Sequence, residues 1–94
     1  MDQAGREELA RAFIAGLPFS RALRLALVSL GEGVAELSMP WNDRLVGDPD
    51  TGVIHGGAVT ALVDTCAGTA VLSHPAAPRR MATLDLRIDY MRGA

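Results

Sequence analysis

Ninety-four residues, with nine Arg, no Lys, 11 acidic side chains and a net charge near −2, make one main domain and leave no basic stripe for nucleic acid. The lone Cys66 excludes an internal disulfide and fits a reducing cytoplasm, no apolar run reaches membrane-span length, and the opening MDQAGREEL lacks a signal-peptide pattern. The apolar share is 49% with only 4% aromatic, more aliphatic surface than so small a core easily hides, which predicts an oligomer.

Residues 2–16 predict an amphipathic helix, with Asp2 as N-cap, Glu7 and Glu8 early, and Leu9, Phe13 and Ile14 as its apolar stripe. Gly16 and Pro18 stop it. From Ala22 to Leu30 composition alone allows helix or strand. The alternation of Leu23, Leu25 and Leu27, with a Gly31-Glu32-Gly33 turn leading to Val34 and Leu37, selects a β-hairpin. Residues 40–52 read as loop, with Trp41, Leu45 and Val46 tucked down. A central helix spans His55 to Ser73, and residues 74–80 form a loop broken by Pro75 and Pro78. Residues 81–94 predict a strand, with Leu84, Leu86, Ile88 and Tyr90 on one face and Asp85, Arg87 and Asp89 on the other. The division is thus an N-terminal helix, 1–18, and a main domain, 19–94.

The central helix carries the chemistry. Asp64 is its only charge, and a carboxylate among Ala, Val, Leu and Cys is costly to desolvate unless it is paired, hydrogen-bonded or used. Gly56 and Gly57 open the helix and leave its first N–H groups unshielded, a start suited to an anion or a polarised carbonyl. At 100° per residue, Val59, Leu62, Val63, Cys66 and Ala70 form an apolar face, while Gly57, Thr60, Ala61, Asp64 and Gly68 form a small, polar one. Gly57 and Asp64 point the same way but stand roughly 10 Å apart along the axis. One helix cannot hold a carbonyl at its tip and attack it with its own Asp64. Two antiparallel copies can, which predicts sites at a subunit interface.

The run HGGAVTALVD (55–64), with TGVIHGG before it and TLDLRIDYMRGA after it, resembles the acyl-CoA thioesterases of the hotdog fold, in particular the PaaI-like branch, over about residues 17–94. The resemblance implies an α+β fold, a long central helix packed on an antiparallel β-sheet, and a homodimer or homotetramer. It implies hydrolysis of an acyl-CoA thioester with no cofactor beyond the coenzyme A of the substrate. It assigns the Gly56 and Gly57 N–H groups to the thioester carbonyl and Asp64 to the role of general base or nucleophile. His55 would orient the loop or substrate, and Thr83 would position the attacking water. Simple alternation puts Thr83 on the side of Asp85 and Arg87, so it needs a twist or bulge to reach the site. Two departures stand out. Many relatives carry Asn where this chain has Pro49; Asp48 or Asp50 would have to replace it, yet an ionised carboxylate donates no hydrogen bond. The family sheet also continues for two strands after the third main strand, where this chain ends at Ala94, so a truncated sheet with an open edge is expected.

Plainer readings stand beside these. Asp64 also reads as a structural carboxylate bonded to Thr60 or to a partner's backbone, His55 as a helix-capping or loop-ordering residue, the two glycines as close-packing residues, and Thr83 as an ordinary strand residue. Arg79 and Arg80 suit either the phosphates of coenzyme A or solvent. Cys66 faces the core with no basic neighbour, unlike a nucleophile. His55 and His74 lack metal-ligand spacing, so no metal is expected. Two rival functions share the fold: a hydratase or dehydratase of acyl thioesters, whose usual sequence pattern this chain lacks, and a non-catalytic acyl-CoA-binding module.

Overall fold

The structure is a computed structural model, and it describes residues 2–76, 82–83 and 85–94. Pro78, Arg79, Arg80 and Leu84 therefore lie outside the described residues.

Helix α1 (Gln3–Gly16) starts where the sequence puts it, because the Asp2 carboxylate accepts the Gly5 N–H at 2.8 Å and satisfies one of the unpaired donors of the first turn. Its stripe is only partly used. Ile14 is buried, while Leu9 and Phe13 stay 57% and 39% exposed. Pro18 does more than end this helix. Its fixed φ and missing N–H suit a first helical position, and a second helix, α2 (Pro18–Leu23), begins there. This corrects the expected hairpin start: Leu23 is a buried helical residue and β1 begins only at Ala26. Arg24 closes α2 in the left-handed region at φ 57°, a conformation that crowds any Cβ. Arg24→Gly is therefore expected to raise stability by about 0.5–1 kcal/mol in urea unfolding; no gain would mean that contacts of the Arg side chain offset the strain.

Strands β1 (Ala26–Gly31) and β2 (Val34–Ser38) pair antiparallel around a Glu32-Gly33 turn in which Gly33 takes φ 75°. The register shifts between Leu27 and Ser29, so Val28 bulges out and is 53% exposed. The apolar set consequently runs Leu25, Leu27, Leu30 rather than in strict alternation, and Leu30 is buried. A short 3-10 turn (Asp43–Leu45) leads to the small antiparallel pair β3 (Val46–Asp48) and β4 (Val53–Ile54). Leu45 packs against the core as expected. Trp41 does not: it lies 63% exposed, tied to the loop by its indole N–H bonding Gly52 O at 2.9 Å.

Helix α3 (Gly56–Leu72) lies on β2, with the Cys66 thiol bonding Ala35 O at 3.3 Å. The core joins Leu23, Ile54 and Ala58, with Leu25, Met39, Leu45, Val59 and Ala61 packed against it. The packed face of α3 is thus rotated from the expected one. Ala61 belongs to it, whereas Val63 and Val71 face outward, 38% and 44% exposed.

The C-terminal strand is corrected as well. Residues 85–94 belong to no strand, and β1–β2 and β3–β4 pair only within themselves. Alternation sorts side chains onto two faces, but a strand exists only through a backbone partner, and among the described residues the sole ladder-like bond is Ile54 N–H to Ala94 O at 3.0 Å. The segment instead follows α3 in the opposite sense, with Thr83 at Asp64 and Tyr90 at Gly56. Among the described residues, no helix is long and apolar enough to cross a membrane.

Candidate active site

His55 follows β4 and caps α3. Its backbone N–H is held by Leu45 O at 2.7 Å, and its side-chain Nδ1 accepts the Gly57 N–H at 2.8 Å. An accepting Nδ1 leaves the proton of the neutral ring on Nε2. Two glycines make this geometry possible. A Cβ on Gly57 would stand 3.0 Å from His55 Nδ1, and a Cβ on Gly47 would stand 2.8 Å from His55 Cα. Glycine 47 lets β3 lie flat against the cap. Read from sequence it is only one of several loop glycines.

The first donors of α3 are divided unequally. His55 takes the Gly57 N–H with its ring and the Ala58 N–H with its carbonyl, the latter at 3.0 Å. None of the bonds among the described residues takes the Gly56 N–H. Of the two glycine donors, Gly56 is therefore the one open to a ligand, and Gly57 becomes open only when the His55 ring moves. Behind Gly56, its carbonyl accepts from Thr60 Oγ1 at 2.9 Å and from Tyr90 Oη at 2.8 Å. Tyr90 is a site neighbour that sequence reasoning missed by placing it on an apolar strand face. Its phenol was the available signal, since such a hydroxyl usually finds a partner when its ring packs.

Asp64 sits mid-helix and half-buried, so its carboxylate is less enclosed than the apolar run suggested. The bond to Thr60 weighed for it is absent, because the Thr60 hydroxyl donates its one proton to Gly56 O. Its partner is Thr83, whose hydroxyl donates to Asp64 Oδ1 at 2.6 Å. No ion pair among the described residues holds Asp64. The alternation that turned Thr83 away does not apply, because no ladder fixes the side on which residue 83 points. One carboxylate oxygen is thus oriented by a hydroxyl, and no hydrogen bond among the described residues takes the other. Within the chain, seven residues of helix, roughly 10 Å, still separate Asp64 from Gly57.

Of the two carboxylates that flank Pro49, Asp48 is turned into its own loop. The Asp48 oxygens accept from Asp50 N at 3.0 Å and Thr51 Oγ1 at 2.9 Å, closing the 48–52 loop on itself. No group of three or more His, Cys, Asp or Glu among the described residues is arranged to hold a metal ion.

A family model described as Thioesterase superfamily matches residues 51–94, the stretch holding the cap, the helix and Thr83. Curated relatives include the medium/long-chain acyl-CoA thioesterase YigI of Salmonella typhimurium, 30% identical, and that of Escherichia coli K12, 29% identical, each match covering 85% of this chain. The chain spans 60% of the length of these relatives. A solved structure described as a protein from the thioesterase superfamily superposes with a TM-score of 0.85 at 31% identity, covering 96% of this chain and 67% of that one.

Proposed function

Since this chain belongs to the thioesterase superfamily of the hotdog fold, we propose that it hydrolyses an acyl-CoA thioester, with Asp64 as the base and the start of α3 as the carbonyl site. The observation that carries this reading is the Thr83–Asp64 bond, which orients a carboxylate that no ion pair among the described residues holds, on a face of small residues. The naming of the curated relatives supports a medium or long aliphatic acyl group.

A water held between Asp64 and the Thr83 hydroxyl gives its proton to Asp64 as its oxygen bonds the thioester carbon. The oxyanion so formed accepts the Gly56 N–H, aided by the helix dipole, and the Gly57 N–H once His55 releases it. Collapse breaks the C–S bond, and the proton on Asp64 passes to the departing thiolate. The roughly 10 Å between donor and base means that the two halves come from different copies, with α3 helices antiparallel in a homodimer or in a tetramer of dimers. Outward Val63 and Val71 on α3 support such a contact. The PaaI-like branch and a cytoplasmic location are part of the same proposal.

The test is release of free thiol across aliphatic and aromatic acyl-CoAs, monitored with a thiol reagent; no release from any of them would reject the reading. Thr83→Val should lower turnover about tenfold and Thr83→Ser should keep it, because only the hydroxyl is used. Equal rates for both variants would remove Thr83 from the site. A second reading, acyl-CoA binding without hydrolysis, is favoured by one observation: His55 already occupies the Gly57 N–H that a carbonyl clamp needs. Saturable binding with intact thioester would select it.

A further inference from the structure

A cavity of about 460 Å³ lies away from Asp64, between α1 and the C-terminal end of α3. Its size falls within the range of small-molecule sites. Leu9, Ala10 and Phe13 of α1, Leu30 of β1 and Leu72 of α3 wall it with hydrocarbon. The polar groups of its floor are already satisfied within the fold. Thr69 Oγ1 donates to Thr65 O at 2.8 Å, and Ser73 Oγ donates to Ala70 O at 2.7 Å while accepting the Gly33 N–H. Its remaining polarity is gathered at the end beside the β1–β2 turn. Arg6 stands there, bridged to Glu32 at 3.2 Å, and His74 lies next to Gly33. The His74 Nδ1 accepts the Ala76 N–H at 3.0 Å, so the neutral ring presents its Nε2–H outward as a donor.

We propose that this cavity binds an unbranched aliphatic carboxylic acid, its chain between α1 and α3 and its carboxylate on the Arg6 guanidinium and the His74 Nε2–H. The site is separate from the hydrolytic one and does not depend on that reading. Asp64 and Thr69 are five residues apart, about 140° around the helix, so the cavity and the carboxylate lie on different faces. The acyl chain of a bound thioester would arrive methyl end first and bring nothing for Arg6 and His74 to meet. A free acid supplies both the hydrocarbon and the charge. Glu32 opposes the ligand through like charge, and this gives the assignment a signed test.

Titration calorimetry with decanoate on the whole protein should show saturable binding of one acid per chain below the acid's micelle concentration. Arg6→Gln should weaken it about tenfold, the effect of losing one charge-assisted hydrogen bond. Glu32→Gln should tighten it, and decanol should bind far more weakly than decanoate. Ala10→Phe should abolish binding by filling the cavity, with circular dichroism showing that the fold is kept; if that variant unfolds, the Arg6 and Glu32 pair decides alone. Thiol release from acyl-CoA should be unchanged in Arg6→Gln and Ala10→Phe. No saturable binding, binding indifferent to Arg6→Gln, or an altered chain-length preference in hydrolysis by Ala10→Phe would each overturn the proposal, the last by making the cavity part of the hydrolytic site.

Discussion

Asp64→Asn is expected to lower thiol release from acyl-CoA about a thousandfold, the middle of the range for a positioned general base, with no change in the thermal midpoint. The substitution keeps size and shape. An Asn Oδ1 still accepts the Thr83 hydroxyl, so the 2.6 Å contact that orients the side chain survives. What is lost is the ability to take a proton from water. Because Asp64 is half-buried and in no ion pair among the described residues, neutralising it leaves no opposite charge stranded. Stability and turnover therefore separate. A structural carboxylate would give the reverse, with unfolding shifted and turnover of the folded fraction kept. A single turnover in oxygen-18 water divides base from nucleophile: attack by water puts the label in the released acid, whereas a mixed anhydride cleaved at the Asp64 carbonyl puts it in Asp64.

The parts of the molecule that the sequence discloses are those decided within one turn of chain. Asp2 caps α1 through a residue three positions on, and α3 begins at the His-Gly-Gly step because a side chain, two glycines and their own N–H groups suffice. Where the outcome depends on a distant partner, pattern reading loses its hold. Alternation in residues 85–94 fixes two faces but supplies no neighbouring backbone, and the segment lies along α3 instead. The bulge at Val28 is equally invisible, since an extra residue in one strand is defined only against the strand opposite. The candidate site divides the same way. Asp64 stands out locally as the only charge in an apolar run, and its partner Thr83 emerges only once the chain has returned to it across 19 residues.

Gly47→Ala should cost about 1–3 kcal/mol, the effect of forcing a methyl group into a full space, and lower the thermal midpoint by roughly 5–15 °C. The added Cβ would lie 2.8 Å from His55 Cα and 3.2 Å from both its N and Cβ. Those atoms are backbone, or next to it, so no rotamer change relieves the clash. Either β3 or the His55 cap must shift. The His55 N–H bond to Leu45 O, at 2.7 Å, resists separation of the two, so strain passes into the ring that caps Gly57. Hydrogen exchange at the Gly57 amide should accelerate in this variant more than exchange at the middle of α3. Gly16→Ala is the matched control: nothing stands within 4 Å of its added methyl, and a helical glycine replaced by alanine gains about 0.5–1 kcal/mol. A Gly47 variant as stable as the parent, with Gly57 exchange unchanged, would mean that β3 yields freely and that the cap is held by α3 alone. The helix start would then owe its geometry to the His-Gly-Gly step and nothing to the strand beneath it.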